Sequence, residues 1–115
     1  MKAKITATAK YLPKKTLTNL DLEKMVDTSE EWILSRTGIE KRHLVSKGEA
    51  TSDMCEQVAL ELIKKSGMNP EDIDLILIAT CTPDVPVVST AALVQDKIGA
   101  KNAWGYDIVA ACTGF

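Results

Sequence analysis

The sequence predicts an α/β fold in layers, with helices packed on the faces of a parallel sheet. Three observations carry this. The aliphatic run from Asp74 to Thr80 has the length of a strand covered on both faces. A second apolar run, Tyr106 to Ala110, has the same character, and segments of helical periodicity alternate with these runs. Alternation of helix and buried strand implies right-handed parallel crossovers.

Taken in chain order, Lys4 to Ala9 alternates polar and apolar residues as a half-buried strand does, and Tyr11-Leu12-Pro13 closes it because proline cannot continue a ladder. Thr18 to Val26 predicts a short helix capped by Thr18, with Asp21 three residues on and an apolar stripe of Leu22, Met25 and Val26. Thr28 or Ser29 caps a second helix whose first turn holds Glu30 and Glu31, and Gly38 stops it.

A longer helix is predicted from Thr51 or Ser52 to Ser66, with Cys55, Val58, Ala59, Leu62 and Ile63 on one face and Gly67 past its end. Asn69 to Asp72 is a polar turn into the first buried strand. The Pro83 to Pro86 loop leads to a helix from Ser89 to Ile98, ended by Gly99, and then to the second buried strand. Only five residues follow Ala110, so the element expected after that strand is missing and the chain reads as cut off.

Composition narrows the partners. The 115 residues are 45% hydrophobic and 26% charged, the balance of an ordinary globular domain. A net charge of -2 and a pI near 5.4 give no general attraction for nucleic acid or for an anionic membrane. The longest apolar run falls far short of the roughly 20 residues of a membrane helix, and no signal-type segment follows Met1. A cytoplasmic protein is expected, with neither nucleic acid nor membrane as partner.

Cys55, Cys81 and Cys112 are odd in number and form no CxxC pair, so neither a disulfide framework nor a metal site is expected. Cys112 stands out by its surroundings. In Asp107-Ile-Val-Ala-Ala-Cys-Thr-Gly-Phe115 a strand runs into small residues, which is what a sharp turn needs if its side chain is to point outward. A helix beginning just beyond would favour the thiolate through its dipole. The bland alternative, a small buried hydrophobe at a strand end, stays open on local sequence alone. Cys55 shares the apolar face of its helix and reads as core, whereas Cys81 is equally suited to line a pocket or to pack.

Three segments together resemble the β-ketoacyl-acyl-carrier-protein synthase III family of the thiolase superfamily. They are Thr18-Asn-Leu-Asp-Leu-Glu-Lys-Met-Val26, Asp27-Thr-Ser-Glu-Glu-Trp-Ile-Leu-Ser-Arg-Thr-Gly-Ile39 and the Asp107 to Phe115 segment. The resemblance spans essentially the whole chain. It implies a thiolase-like layered α/β fold of which residues 1–115 are the amino-terminal half, the remainder being absent.

The resemblance further implies that Cys112 accepts an acyl group from acyl-CoA and condenses it with malonyl-acyl carrier protein, releasing CO2. It implies no separate cofactor, coenzyme A thioester being the substrate, and it implies a homodimer. The family's catalytic histidine and asparagine lie downstream of the cysteine segment. His43 does not match that histidine and reads as a surface or structural residue.

Coenzyme A contacts are implied for Thr28, Trp32 and Arg36, whose spacing by four places them on one helix face. An indole suits adenine and a guanidinium suits phosphate. The plainer alternative buries Trp32 in the core and pairs Arg36 with Glu31 or Glu40. Val87 occupies a place where the family often carries an aromatic that reaches across the dimer to bound the acyl pocket, so its smaller side chain weakens any strict acetyl preference. The basic run Arg36, Lys41, Arg42, His43 and Lys47 has no assigned role. Two other readings compete: a different condensing enzyme of the superfamily with a polyketide or branched-chain primer, and a noncatalytic fragment of the fold.

Overall fold

The computed structural model describes residues 2–115, which divide into two compact units, Leu12–Glu49 and the remainder. The smaller unit holds strand β1 (Lys15–Thr18), helix α1 (Asn19–Glu23), helix α2 (Glu30–Thr37) and strand β2 (Lys41–Leu44). The larger holds α3 (Thr51–Ser66), β3 (Leu75–Ala79), α4 (Thr90–Ile98) and β4 (Trp104–Ile108).

In the smaller unit β1 and β2 pair antiparallel, Lys15 opposite Leu44 and Thr18 opposite Lys41. Neither strand is signalled by the sequence, since each is four residues long and all but one leucine are charged or polar. Thr18 caps α1 in a full capping box with Asp21, as its spacing predicts. The carboxyl of Asp21 is held below the usual range by the Thr18 hydroxyl, then by the Thr18 backbone N–H and Lys24. The helix is shorter than the apolar stripe suggests. It ends at Glu23, and Met25 and Val26 lie outside it and exposed.

What the short helix buries is Asn19, which is fully inaccessible. Its amide donates to the Ile39 carbonyl at 2.9 Å and its side-chain oxygen accepts from Arg42, so α1 and the segment around β2 share one polar lock. A buried amide satisfied on both sides is the condition under which such a group is tolerated. His43 Nδ1 donates to the Pro13 carbonyl at 2.7 Å, tying the segment before β1 to β2.

In the larger unit β3 and β4 pair in parallel, Leu75 opposite Trp104 and Ala79 opposite Ile108, with α4 as the crossover that parallel neighbours require. β4 begins and ends two residues earlier than the apolar run predicts, because Trp104 takes the register position opposite Leu75. Ile76, Ala91, Val94, Ile98, Ala100 and Ala103 form the core, with Cys55, Ala59 and Ile63 of α3 packed against it. The apolar face read from α3 is therefore its packing face.

Within the described residues the sheet is covered on one face. Ile76 is buried, while Leu75 and Leu77 are exposed, as are Trp104 and Tyr106, whose rings stack 5.7 Å apart. The run is aliphatic on both sides, but the described residues supply a covering layer to one side only. Lys4 to Ala9 is not a strand. Alternation sets which side chains share a face but does not supply a ladder partner, and among the described residues none pairs with it. Thr6 and Ala7 instead line an apolar cavity of about 490 Å³ with α3 and β3.

Gly105 shows why α4 sits so close. A Cβ there would lie 2.7 Å from the Ile76 carbonyl oxygen and 2.9 Å from the Ala91 Cβ, so only glycine allows this approach of helix to sheet.

Candidate active site

Beyond β4 the chain turns at Ala111, which has a φ of 46°, a left-handed conformation that side chains adopt at a cost. The turn thus falls one residue before Cys112. A single 3-10 turn follows, Ala111–Gly114, closed by the Thr113 hydroxyl donating to the Ala110 carbonyl at 2.7 Å. Small residues are needed for it, since a Cβ on Gly114 would come within 3.3 Å of the Ala79 Cβ.

Cys112 is exposed on that turn, against the reading that buries it as a small hydrophobe. Cys112 occupies the second position of the 3-10 turn, three residues before the last residue of the sequence. Exposure and the tight turn remain as the local features favouring a reactive group.

The other two thiols separate clearly from it. Cys55 is half-buried against the core, and its thiol is pushed up first by burial and then by the charges of Asp84 and Asp107, so its thiolate is disfavoured. Cys81 is exposed just past β3 and lies outside the cavity lined by that strand. No group of histidine, cysteine and acidic side chains suited to hold a metal ion occurs among the described residues.

In the smaller unit, Ser29 rather than Thr28 caps α2, its hydroxyl accepting from the Trp32 N–H at 3.1 Å, and Gly38 ends the helix at φ 68°. Thr28 therefore precedes the helix, and only Trp32 and Arg36 share a helical face, a correction to the expectation that all three do. Thr28 and Trp32 nevertheless line one concavity of about 340 Å³ together with Asp27 and Ser29.

Trp32 is 58% exposed, which overturns core packing for its indole. Arg36 is exposed one turn further on and makes no ion pair with Glu31, Glu40 or any other described residue. Both side chains are free to meet a ligand. Val87 is 93% exposed in the loop between β3 and α4 and lines neither of the two concavities described.

The larger unit thus joins a parallel pair of strands, packed on by α3 and α4, to a tight turn that carries an exposed cysteine. No family model matches the chain. The β-ketoacyl-[acyl-carrier-protein] synthase III of Chlorobium luteolum is 59% identical over 116 residues, covering 100% of this chain and 35% of that protein. That of Streptococcus suis is 58% identical over 113 residues, covering 98% of this chain and 34% of that protein.

The 3-oxoacyl-[acyl-carrier-protein] synthase III of Aquifex aeolicus superposes with a TM-score of 0.91 at 49% identity, over 97% of this chain and 36% of that one. The priming β-ketosynthase of the R1128 polyketide pathway superposes at 0.90 with 30% identity, over 97% and 34%. This chain is similar over its whole length to part of these synthase III proteins and spans about a third of the length of the relatives it matches.

Proposed function

We propose that the natural protein is the initiating condensing enzyme of fatty acid synthesis and that Cys112 is its acyl carrier. The Cys112 sulfur, as thiolate, attacks the thioester carbonyl of an acyl-CoA, the carbon to coenzyme-A sulfur bond breaks, and coenzyme A leaves with a proton. Malonyl-acyl carrier protein then loses CO2, and its carbanion displaces the Cys112 thiolate to give a β-ketoacyl-acyl carrier protein. Coenzyme A thioester is a substrate in this scheme, and no further cofactor enters it.

The observation that carries the reading is the exposed Cys112 on a tight turn built from Ala110, Ala111 and Gly114, in a chain 59% identical to a synthase III throughout. The free faces of Trp32 and Arg36 beside the Thr28 concavity support coenzyme A binding, indole to adenine and guanidinium to phosphate. An outward-facing Val87 suits an acyl-pocket wall supplied to the second subunit of a homodimer. A cytoplasmic location fits the described residues, where no helix is long and apolar enough to cross a membrane.

One observation favours a second reading. The R1128 enzyme, described as priming a polyketide pathway, matches nearly as well in backbone, so a primer other than acetyl is compatible with this fold.

The test is direct. The full-length protein is mixed with labelled acetyl-CoA, digested and mapped by mass, and the label is expected on Cys112 alone. Cys112→Ser should lose both label and condensation, because a serine hydroxyl lacks the low pKa of a thiol. Label on Cys55 or Cys81, or full turnover by the serine variant, would refute the mechanism.

A further inference from the structure

We propose that Asp107 is a positioning residue that ties the strand leading to Cys112 to the loop carrying Val87, and that it thereby sets how strictly the acyl chain is selected. The inference rests on the reading in which Cys112 holds the acyl group and Val87 bounds an acyl pocket.

Asp107 lies within β4, and its carboxylate reaches off the strand to the head of α4. One oxygen accepts from the Thr90 N–H at 2.6 Å and the other from the Ala91 N–H at 2.9 Å. These are two of the donors that an α-helix leaves without an internal partner, and Ser89 takes the next, accepting from the Ala92 N–H at 3.1 Å. Negative charge at this end is also favoured by the helix dipole. Thr90 and Ala91 are both fully buried, so the carboxylate is the partner that brings these two backbone N–H groups a hydrogen bond from β4.

The far end of the same loop is fixed separately. The Thr80 N–H donates to the Ile108 carbonyl at 3.1 Å, extending the sheet ladder. The Thr51 hydroxyl donates to the Thr82 carbonyl at 2.7 Å, and the Ser52 N–H donates to the Asp84 carboxylate at 2.9 Å. Between these anchors Val85, Val87 and Val88 stand exposed, an apolar tip on a loop pinned at both ends.

Asp107 differs from the other anchors in what it joins. Ile108, the next residue, ends β4, and the Ala111 turn then delivers Cys112. One side chain therefore joins the strand that leads to the thiol to the first turn of α4, which directly follows the Val87 loop. Freeing the loop at this point lets Val87 move, and small displacements in a pocket wall change discrimination between acyl chains more than they change the chemistry at sulfur.

The experiment uses the full-length protein with Asp107→Asn, Asp107→Ala and Asp84→Asn. It reads kcat/KM for acetyl-CoA and for a branched four-carbon acyl-CoA, beside the thermal midpoint. The ratio of the two should shift by about tenfold in Asp107→Ala, roughly what one or two methylenes are worth in a pocket. A smaller shift in the same direction is expected for Asp107→Asn, whose amide oxygen still accepts one N–H, and for Asp84→Asn, which frees the other end. Should Asp107→Ala fail to fold, the two asparagine variants carry the same readout. A loss of stability with both substrates falling in equal proportion, or an unchanged ratio in folded variants, overturns the proposal. If Cys112 of the unsubstituted protein takes no acyl label, the proposed function fails first, and this inference falls with it for that separate reason.

Discussion

The Lys97 ammonium of α4 lies 2.5 Å from an Asp53 carboxylate oxygen in the first turn of α3, and 3.5 Å from Glu56, so one cation bridges the two helices that cover the sheet. Asp53 also accepts from the Ala50 N–H at 2.8 Å, closing the head of α3, where no side chain caps. The Lys97 contact, then the Ala50 bond, holds the Asp53 carboxyl below its usual range, and Asp53 in turn raises Lys97.

The sign of the pH effect follows. A depressed carboxyl contributes stability that is present above its unfolded value near about 3.9 and is lost as pH falls through its lower folded value. The raised lysine contributes below its unfolded value near about 10.4, and that part is lost as pH rises through the higher folded value. Lys97→Met should therefore flatten the acid limb of the thermal midpoint measured against pH in the full-length protein. An identical acid limb would show that the bridge is not coupled to folding.

Gly105 is expected to be intolerant. Gly105→Ala places a Cβ 2.7 Å from the Ile76 carbonyl and 2.9 Å from the Ala91 Cβ, both on rigid elements, and should cost about 1–3 kcal/mol, the range for overpacking a core. Chemical denaturation reads this directly. A midpoint unchanged within error would mean that α4 and β4 yield more easily than their packing implies.

The thiols should react in a defined order. With iodoacetamide at about pH 8, Cys112 and Cys81 are exposed and should be alkylated well before Cys55, whose thiol is raised by burial and by two neighbouring aspartates. Peptide mapping at short times gives the ranking. Early modification of Cys55 would mean that the contact of α3 with the core opens readily.

Arg36→Ala should raise KM for the acyl-CoA about tenfold with little loss of kcat, the size of one charge-assisted contact of roughly 1.4 kcal/mol. The exposed guanidinium makes no ion pair among the described residues, so its loss should leave the thermal midpoint in place. A fall in stability with KM unchanged would return Arg36 to a structural role.

Helices were legible wherever punctuation was local. Ser29, Ser89 and the glycines at 38, 67 and 99 act within one turn of themselves, so capping and the left-handed stop could be read from neighbouring letters. The α3 face of Cys55, Ala59 and Ile63 followed from spacing for the same reason. The Cys112 segment was also local, a cluster of small residues at a strand end, and its motif carried the family.

Pairing was not local. β1 and β2 hold three polar or charged residues and one leucine each, and what makes them strands is a partner about 25 residues away plus the Asn19 lock beneath them, none of which leaves a periodic trace. Lys4 to Ala9 is the converse case, with the pattern of a strand but no partner among the described residues.

By itself, then, the sequence determined the helices, the two apolar strands and the core face of α3, because capping and periodicity act along the chain. Only the tertiary structure decided that Trp32 stands exposed, that the turn strains Ala111 rather than Cys112, and that Asp107 reaches from β4 to the head of α4. Those depend on which backbone groups are brought together across distant segments, and a hydrogen bond between residues 90 and 107 has no signature in either stretch read alone.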